Sequence, residues 1–306
     1  MSAMTEEAAL EQRFRQLVAR ARQALDAVLP PAGAPPAVIH EAMRYSTLAG
    51  GKAIRPVLVM AAAECVGGPD AAGEAVERAA AAVELVHTYS LIHDDLPAMD
   101  NDDVRRGQPA NHVVYGEAIA ILAGDALLTR AFEVLAELPR FGVEPARALA
   151  VVGELAAAAG TAGLIGGQVD DLTATAGAAV DLERLRSIHQ RKTGALFRAC
   201  VRIGGRLAGG GTAELERLTA YAAGFGAAFQ IVDDILDVTG DEAELGKPVG
   251  SDARQGKVTV PSLVGLDAAR RLAEEATAAA IASLEPFGAR AELLRWLARR
   301  LLTRRR

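Results

Sequence analysis

The sequence predicts an all-α fold: one domain, residues 1–306, of about ten or more helices around a central cavity. Three observations carry this. Ala, Leu, Glu and Arg, all strong helix formers, dominate almost every segment. Alternation of β-branched residues at period two is missing. Helix breakers cluster between long segments, at Pro30-Pro31, Pro35-Pro36, Gly67-Gly68-Pro69, Pro139, Gly209-Gly210-Gly211 and Pro286.

Those breakers delimit helices over roughly 6–29, 36–49, 56–66, 70–95, 116–137, 144–160, 181–208, 212–238, 259–284 and 289–302. The N-terminus is charged and has no apolar stretch, so no signal peptide is expected. Alanine runs at Ala79–Ala82 and Ala156–Ala159 suit helices that pack closely. The most apolar stretch, Leu149 to Val169, is interrupted by Glu154 and five glycines. It falls short of the roughly 18 uninterrupted apolar residues of a membrane span, and reads as buried helix. No linker composition marks a second domain, and no repeat of fixed period is present.

Composition narrows the class. Apolar residues make up 51% and charged residues 24%, which excludes a disordered chain. A net charge of −6 argues against wholesale nucleic-acid binding. Cys65 and Cys200 have neither CxxC spacing nor histidines at zinc spacing, which suits two reduced thiols in a cytoplasmic protein.

Two acidic clusters carry the chemistry. In HDDLPAMDNDDVRRG, residues 93–107, Asp94, Asp95, Asp100, Asp102 and Asp103 fall within ten residues, and Arg105 and Arg106 follow at once. Carboxylates this dense need a cation or strong exposure. Mg²⁺ is oxygen-seeking and is typically held by one or two carboxylates plus substrate phosphates. Pro97 forbids regular helix spacing, so Asp94 and Asp100 are expected to converge through a bulged turn. In QIVDDILDVTGD, residues 230–241, Asp233 and Asp237 share one helix face, with Gln230 one turn earlier and Asp234 beside them. The neighbours Phe229, Ile231, Val232, Ile235, Leu236 and Val238 are apolar, so three carboxylates cannot all face water on an outer surface. Opposed across a cavity, the clusters would hold several divalent cations. Basic residues beside glycines complete a phosphate-binding set: Gly50-Gly51-Lys52-Ala53-Ile54-Arg55-Pro56, Lys192-Thr193-Gly194, Leu245-Gly246-Lys247-Pro248, then Lys257.

These residues resemble the all-trans polyprenyl diphosphate synthase family, and most of all its bacterial farnesyl diphosphate synthases. The resemblance runs from about Tyr45 to Leu266, with the motifs in order. Asp94–Asp100 matches the first aspartate-rich motif in its DDxxxxD form, and Asp233–Asp237 the second, DDxxD. Gly50–Pro56 matches GGKxxRP, and Gly167-Gln168-Val169-Asp170-Asp171 matches GQxxD. Lys192-Thr193, Gln230, Lys247 and Lys257 match isolated family positions. The resemblance implies the isoprenoid synthase fold, a homodimer, and condensation of isopentenyl diphosphate with dimethylallyl or geranyl diphosphate to give farnesyl diphosphate. It implies three Mg²⁺ per site. Asp94 and Asp100, supported by Asp95, would bind two on the allylic diphosphate, and Asp233, supported by Asp234 and Asp237, the third. Arg105, Lys192 and Lys257, with Lys247 nearby, would grip the allylic diphosphate. Gly51, Lys52, Arg55, His87 and Arg106 would form the isopentenyl diphosphate site. Thr193 and Gln230 would face the forming carbocation, and the released diphosphate would accept the lost proton. No nucleophile set of the Ser/His/Asp or Cys/His kind is found, and this reaction needs none.

Product length rests on Tyr89, five residues before Asp94 and about 7.5 Å along a helix axis. In the family a bulky residue there floors the tail cavity near fifteen carbons. On a helical wheel, however, Tyr89 lies about 140° from Asp94, and Ser90 is nearly beneath it. Geranyl or geranylgeranyl diphosphate is the alternative product. A terpene cyclase would lack GGKxxRP and would usually replace the second DDxxD. A non-catalytic prenyltransferase subunit would tend to lose an aspartate motif. His93 reads as structural, His112 and His189 are unassigned, Trp296 reads as packing, and Arg304-Arg305-Arg306 as a solvated basic end.

Overall fold

The computed structural model describes residues 3–175, 180–239 and 257–304, and these are almost wholly helical. After α1 (Ala3–Val28) and α2 (Ala37–Leu48), α3 (Ile54–Gly67) and α4 (Glu74–Asp94) form the centre. All residues from Pro56 to Ala63 are buried, the pattern of a helix surrounded by others. α4 begins at Glu74 rather than near 70, after Gly73. Glu74 and Glu77 in its first turn complement the partial positive charge there.

α5 (Asn111–Tyr115), α6 (Glu117–Ala136), α7 (Pro145–Ala159) and α8 (Leu164–Thr175) follow. α4 packs on α1, α3 and α6. A two-residue hairpin, β1 (Val104–Arg105) with β2 (Gln108–Pro109), pairs Val104 with Pro109 and Arg105 with Gln108. No strand was expected there from residue order.

The expected buried helix over Leu149–Val169 is corrected. It breaks between α7 and α8 at Gly160–Gly163, and Leu149 and Val169 are 71% and 55% exposed. The stretch Pro145–Ala174 is long and apolar enough to cross a membrane by composition alone, a test that packed helices also pass.

The helix expected over 181–208 is three pieces: α9 (Leu182–His189), a π turn (Gln190–Gly194) and α10 (Ala195–Leu207). α11 (Thr212–Thr239) runs beside α10. α12 (Val260–Val264), α13 (Leu266–Ser283) and α14 (Glu292–Leu302) complete the described chain. Gly265, at φ 82°, separates α12 from α13 in what the sequence read as one helix.

α3 and α10 touch backbone to backbone: a Cβ on Gly204 would lie 2.0 Å from the Val59 carbonyl oxygen. Phe197 and Phe225 are fully buried and meet edge to face at 5.2 Å. Burial of such a side chain stabilises by roughly 2 kcal/mol. The Tyr221 hydroxyl donates to the Leu294 carbonyl at 2.8 Å, tying α11 to α14. A smaller apolar cluster, including Leu185, Ile231, Val260 and Ala269, joins α9, α11, α12 and α13.

Candidate active site

The first aspartate cluster begins where α4 ends. Pro97 stops the helix, and the chain winds back on itself through the bulged turn expected from the sequence. Asp100 N–H donates to the Asp94 carbonyl at 2.8 Å, and Asp102 N–H to the Asp95 carbonyl at 3.2 Å. The cluster therefore has an outer and an inner member. Asp95 is 2% exposed and accepts from Arg105 Nε at 2.8 Å. Arg105 Nη2 also reaches Asp102 at 3.0 Å. Asp94 and Asp100 are only partly buried. Burial, with Asp100 and Asp95 nearby, pushes the Asp94 carboxyl up to about 6, although Lys192 and Arg105 pull the other way.

The second cluster lies in the last turns of α11. Asp234 and Asp237 are buried, at 6% and 4% exposure. Asp234 accepts the Val260 N–H at 2.8 Å and so anchors α12. Asp233 is the outer member, with a side chain 38% exposed. Its carboxylate forms an ion pair with Arg304 at 2.8 Å, and the Arg304 guanidinium lies 4.8 Å over the Phe229 ring. The reading of Arg304 as a solvated end is thus corrected.

Lys257, just before α12, donates to Asp100 at 3.3 Å, bringing a distant segment onto the first cluster. Lys192 on the π turn donates to Asp171 of α8 at 2.7 Å. Burial opposes the Lys192 charge, but Asp171, Asp94 and Asp100 outweigh it and raise its pKa. The glycine of GQxxD has a physical reason: a Cβ on Gly167 would lie 2.1 Å from the Lys192 backbone nitrogen, so only glycine lets α8 reach the π turn. Thr193 is buried beside Lys192, and Gln230 is half-buried on α11.

A basic group gathers at the start of α3. Gly50 and Gly51 take φ 91° and 126°. A side chain on Gly51 would meet the Arg106 guanidinium at 3.0 Å. Arg106 donates to the Gly50 carbonyl at 2.5 Å. Arg55 donates to His87 Nε2 at 3.2 Å, and since arginine has no acceptor, that nitrogen is the imidazole acceptor. Burial, then Arg55, Arg106 and Arg105, hold the His87 pKa well below its ordinary value. His87 is therefore a neutral ring in a cationic pocket. Lys52 is exposed at the pocket's edge.

Beneath the group lies Glu84, which the sequence reading missed. It is 6% exposed and 3.5 Å from Arg106. Burial raises its pKa, and Arg55 and Arg106 lower it. The one acid in the apolar run Ala79–Ile92, three residues before His87, was the available signal. The roles of Asp171 and Arg304 were also missed, because nothing local ties either to a partner.

Tyr89 is 5% exposed and Ser90 9% exposed. The Tyr89 ring meets His93 edge to face at 5.7 Å, and its hydroxyl has no hydrogen-bond partner among the described residues. Ser90 donates to the His87 carbonyl at 2.9 Å. His93 fills space against α6, where a Cβ on Gly124 would lie 2.1 Å from its ring. Lys247 lies outside the described residues.

Among the described residues, no three Asp, Glu, His or Cys side chains converge into a preformed metal cage. The donor chemistry still fits Mg²⁺. The set is all oxygen, the outer aspartates are split between two segments, and burial beside Asp100 and Asp95 holds Asp94 above the usual carboxylate range. Mg²⁺ ordinarily takes few protein ligands and completes its shell with water and phosphate.

A helical bundle that crowds two aspartate segments with lysine and arginine defines an enzyme that handles phosphate-bearing substrates. The chain belongs to the polyprenyl synthetase family, which its residues 36–286 match. It is 52% identical over 255 residues to a chloroplastic geranylgeranyl pyrophosphate synthase of Capsicum annuum, covering 83% of this chain and 68% of that one. It is 51% identical over 256 residues to the large subunit 1 of a heterodimeric geranylgeranyl pyrophosphate synthase of Arabidopsis thaliana, with the same 83% and 68% coverage. Among solved structures, an FPP/GFPP synthase from Zymomonas mobilis superposes with a TM-score of 0.86 at 38% identity, covering 97% of this chain and 99% of that one. The expected all-α isoprenoid synthase architecture and prenyltransferase family are borne out, and the chain is a prenyltransferase.

Proposed function

We propose that the chain catalyses magnesium-dependent head-to-tail condensation of isopentenyl diphosphate with allylic diphosphates, ending at geranylgeranyl diphosphate. The observation that carries the reaction is the meeting of both aspartate clusters with cations from distant segments: Lys257 on Asp100, Lys192 near Asp94, and Arg304 on Asp233. The names of the Capsicum and Arabidopsis relatives support the twenty-carbon product over the farnesyl diphosphate expected from the sequence. Farnesyl diphosphate remains a second reading, favoured by the buried Tyr89 ring wedged against His93.

Asp94, Asp100 and Asp233 are the residues to hold Mg²⁺, and the inner aspartates Asp95, Asp234 and Asp237 support them. Bound there, Mg²⁺ neutralises the allylic diphosphate and makes it a better leaving group. Asp95 orients Arg105, and Asp171 orients Lys192, so both cations are aimed before substrate arrives. With Lys257, and with Lys247 assigned to the same group, they grip the departing diphosphate. Lys52, Arg55, His87 and Arg106 hold isopentenyl diphosphate, with Glu84 fixing the arginines. The Thr193 and Gln230 oxygens face the allylic carbon as positive charge develops. The Phe197 and Phe229 rings, 5.1 Å apart, help keep water from the cation.

Exposed Ile121 and Leu122 on α6, and Leu149 and Val169 on α7 and α8, suit a second copy of the chain as their cover. Cytoplasmic residence remains the sequence-based proposal.

The test is a product assay with Mg²⁺, labelled isopentenyl diphosphate, and each of dimethylallyl, geranyl and farnesyl diphosphate. Accumulation of the twenty-carbon product supports the first reading. Arrest at fifteen carbons, released by Tyr89→Ala, moves the assignment to the second. No condensation by folded protein with any starter overturns both and returns the chain to the non-catalytic subunit class.

A further inference from the structure

The hairpin leaves two residues at its tip, Arg106 and Gly107, because Arg105 pairs with Gln108. Their φ angles are 54° and 76°. A two-residue turn with both φ positive matches the twist of its strands, and Asn-Gly is its usual sequence. Here arginine stands in the first position. Its Cβ disfavours the left-handed region, so the surroundings impose this conformation on Arg106. Among the described residues it is the one charged side chain on a positive-φ backbone.

Those surroundings converge on α2. The Tyr45 hydroxyl on α2 donates to the Pro109 carbonyl of β2 at 2.8 Å. Just beyond β2, the Asn111 amide donates to the Ala42 carbonyl and the Ser46 hydroxyl of α2, each at 2.9 Å. α2 then leads into Gly50, whose carbonyl accepts from the Arg106 guanidinium. The backbone and the side chain of Arg106 are thus referenced to one helix, and the angles at the turn set how the guanidinium meets Gly50 and Glu84. Arg105 is held separately, by Asp95 and Asp102.

Gly107 completes the turn. It is exposed, and a Cβ there would meet no heavy atom within 4 Å. Its backbone conformation, rather than any crowding, is therefore what calls for glycine. Resting on the assignment of Arg106 to isopentenyl diphosphate, we propose that Gly107 is a positioning residue: its left-handed backbone keeps the turn closed and aims Arg106 at that substrate, while Tyr45 holds the returning strand.

Substitutions at 107 can be ranked by their tolerance of the left-handed region, in which asparagine is at home, alanine is disfavoured and valine is worst. That order is not the order of size, since asparagine is larger than alanine. Gly107→Asn should keep the KM for isopentenyl diphosphate within about twofold of wild type. Gly107→Ala should raise it about tenfold, a change of about 1.4 kcal/mol, and Gly107→Val should raise it further. In all three, kcat and the KM for geranyl diphosphate should stay within about threefold, because Arg105 keeps its carboxylates. Tyr45→Phe keeps the ring against Tyr115 and should raise the isopentenyl diphosphate KM about threefold. Calorimetric titration of isopentenyl diphosphate into protein in EDTA should return the same order of affinities, and thermal melts check folding. Gly107→Asn as impaired as Gly107→Ala, or an equal rise in both KM values, overturns the positioning role. Arg106→Ala is the control. If it leaves isopentenyl diphosphate affinity unchanged, the assignment of Arg106 falls and the proposal with it. If it weakens affinity while Gly107→Ala and Gly107→Val do not, the positioning role alone falls. The titration needs no turnover, so it reads the turn even if the condensation assay fails.

Discussion

The two aspartate clusters solve one problem with different backbones. The first is a loop, where hydrogen bonds from Asp100 to Asp94 and from Asp102 to Asp95 set the spacing of the carboxylates. The second is a regular helix, whose pitch alone puts Asp233 and Asp237 on one face. Both lie at helix C-termini, where the partial negative charge disfavours carboxylates. Both answer it by burying an inner aspartate against a fixed donor, Arg105 for Asp95 and the Val260 N–H for Asp234. In the proposed reaction the outer aspartates are the ones that would take the exchangeable cations. A motif of identical letters therefore contains scaffolding and ligand positions side by side.

The largest expected effect breaks the outer pair. Asp94→Asn and Asp233→Asn should each lower kcat by about a thousandfold with unchanged circular dichroism, the scale of losing a transition-state electrostatic partner. The inner substitution Asp234→Asn should instead lower the melting temperature visibly, because a buried acceptor is weakened. Equal melting temperatures for the inner and outer variants would erase the distinction. Next comes the anchoring of Lys192: Asp171→Asn should cost about tenfold to a hundredfold in kcat, since a misaimed cation loses preorganised stabilisation. Glu84→Gln is expected to raise the KM for isopentenyl diphosphate about tenfold while leaving the allylic KM nearly unchanged, because it loosens only Arg55 and Arg106.

A pH series separates the clusters further. The Asp94 carboxyl is raised to about 6 from an ordinary 3.8, so between these values the folded chain binds more protons than the unfolded one. In EDTA, stability from this group should fall as pH rises through that window and level off above about 6. The difference between wild type and Asp94→Asn in urea melts should carry that slope, and a flat difference would contradict it. The smallest effect concerns Arg304. Arg304→Ala should tighten Mn²⁺ binding to substrate-free protein about twofold to fivefold, read by electron paramagnetic resonance, because the Arg304 guanidinium competes for the half-exposed Asp233.

Much of this was legible in residue order. Helix-forming composition and clustered breakers located most helices, and Pro97 announced the bulged turn. Other features were hidden for definable reasons. Composition reported that Leu149–Val169 is apolar, but not which of its faces the rest of the chain covers. The hairpin at Val104–Pro109 is too short for any periodicity. The helical wheel separated Tyr89 from Asp94, yet both Tyr89 and Ser90 prove buried, since α4 is packed on all sides. Glu84, Asp171 and Arg304 act through partners 22, 21 and 71 positions away, a separation that only the fold closes.

The π turn carries a final consequence. It takes up one residue more than an ordinary helical turn, so α9 is out of phase with α10 by about 100°. The aim of Lys192 is thus a matter of counting. Deleting any one residue between Gln190 and Gly194 would leave hydropathy almost untouched and would permit an unbroken helix. It would also rotate Leu185 and Ile188 out of their apolar contacts, or swing Lys192 away from Asp171. Chain length in this segment is itself a conserved-or-lost quantity, one that substitution alone cannot repair.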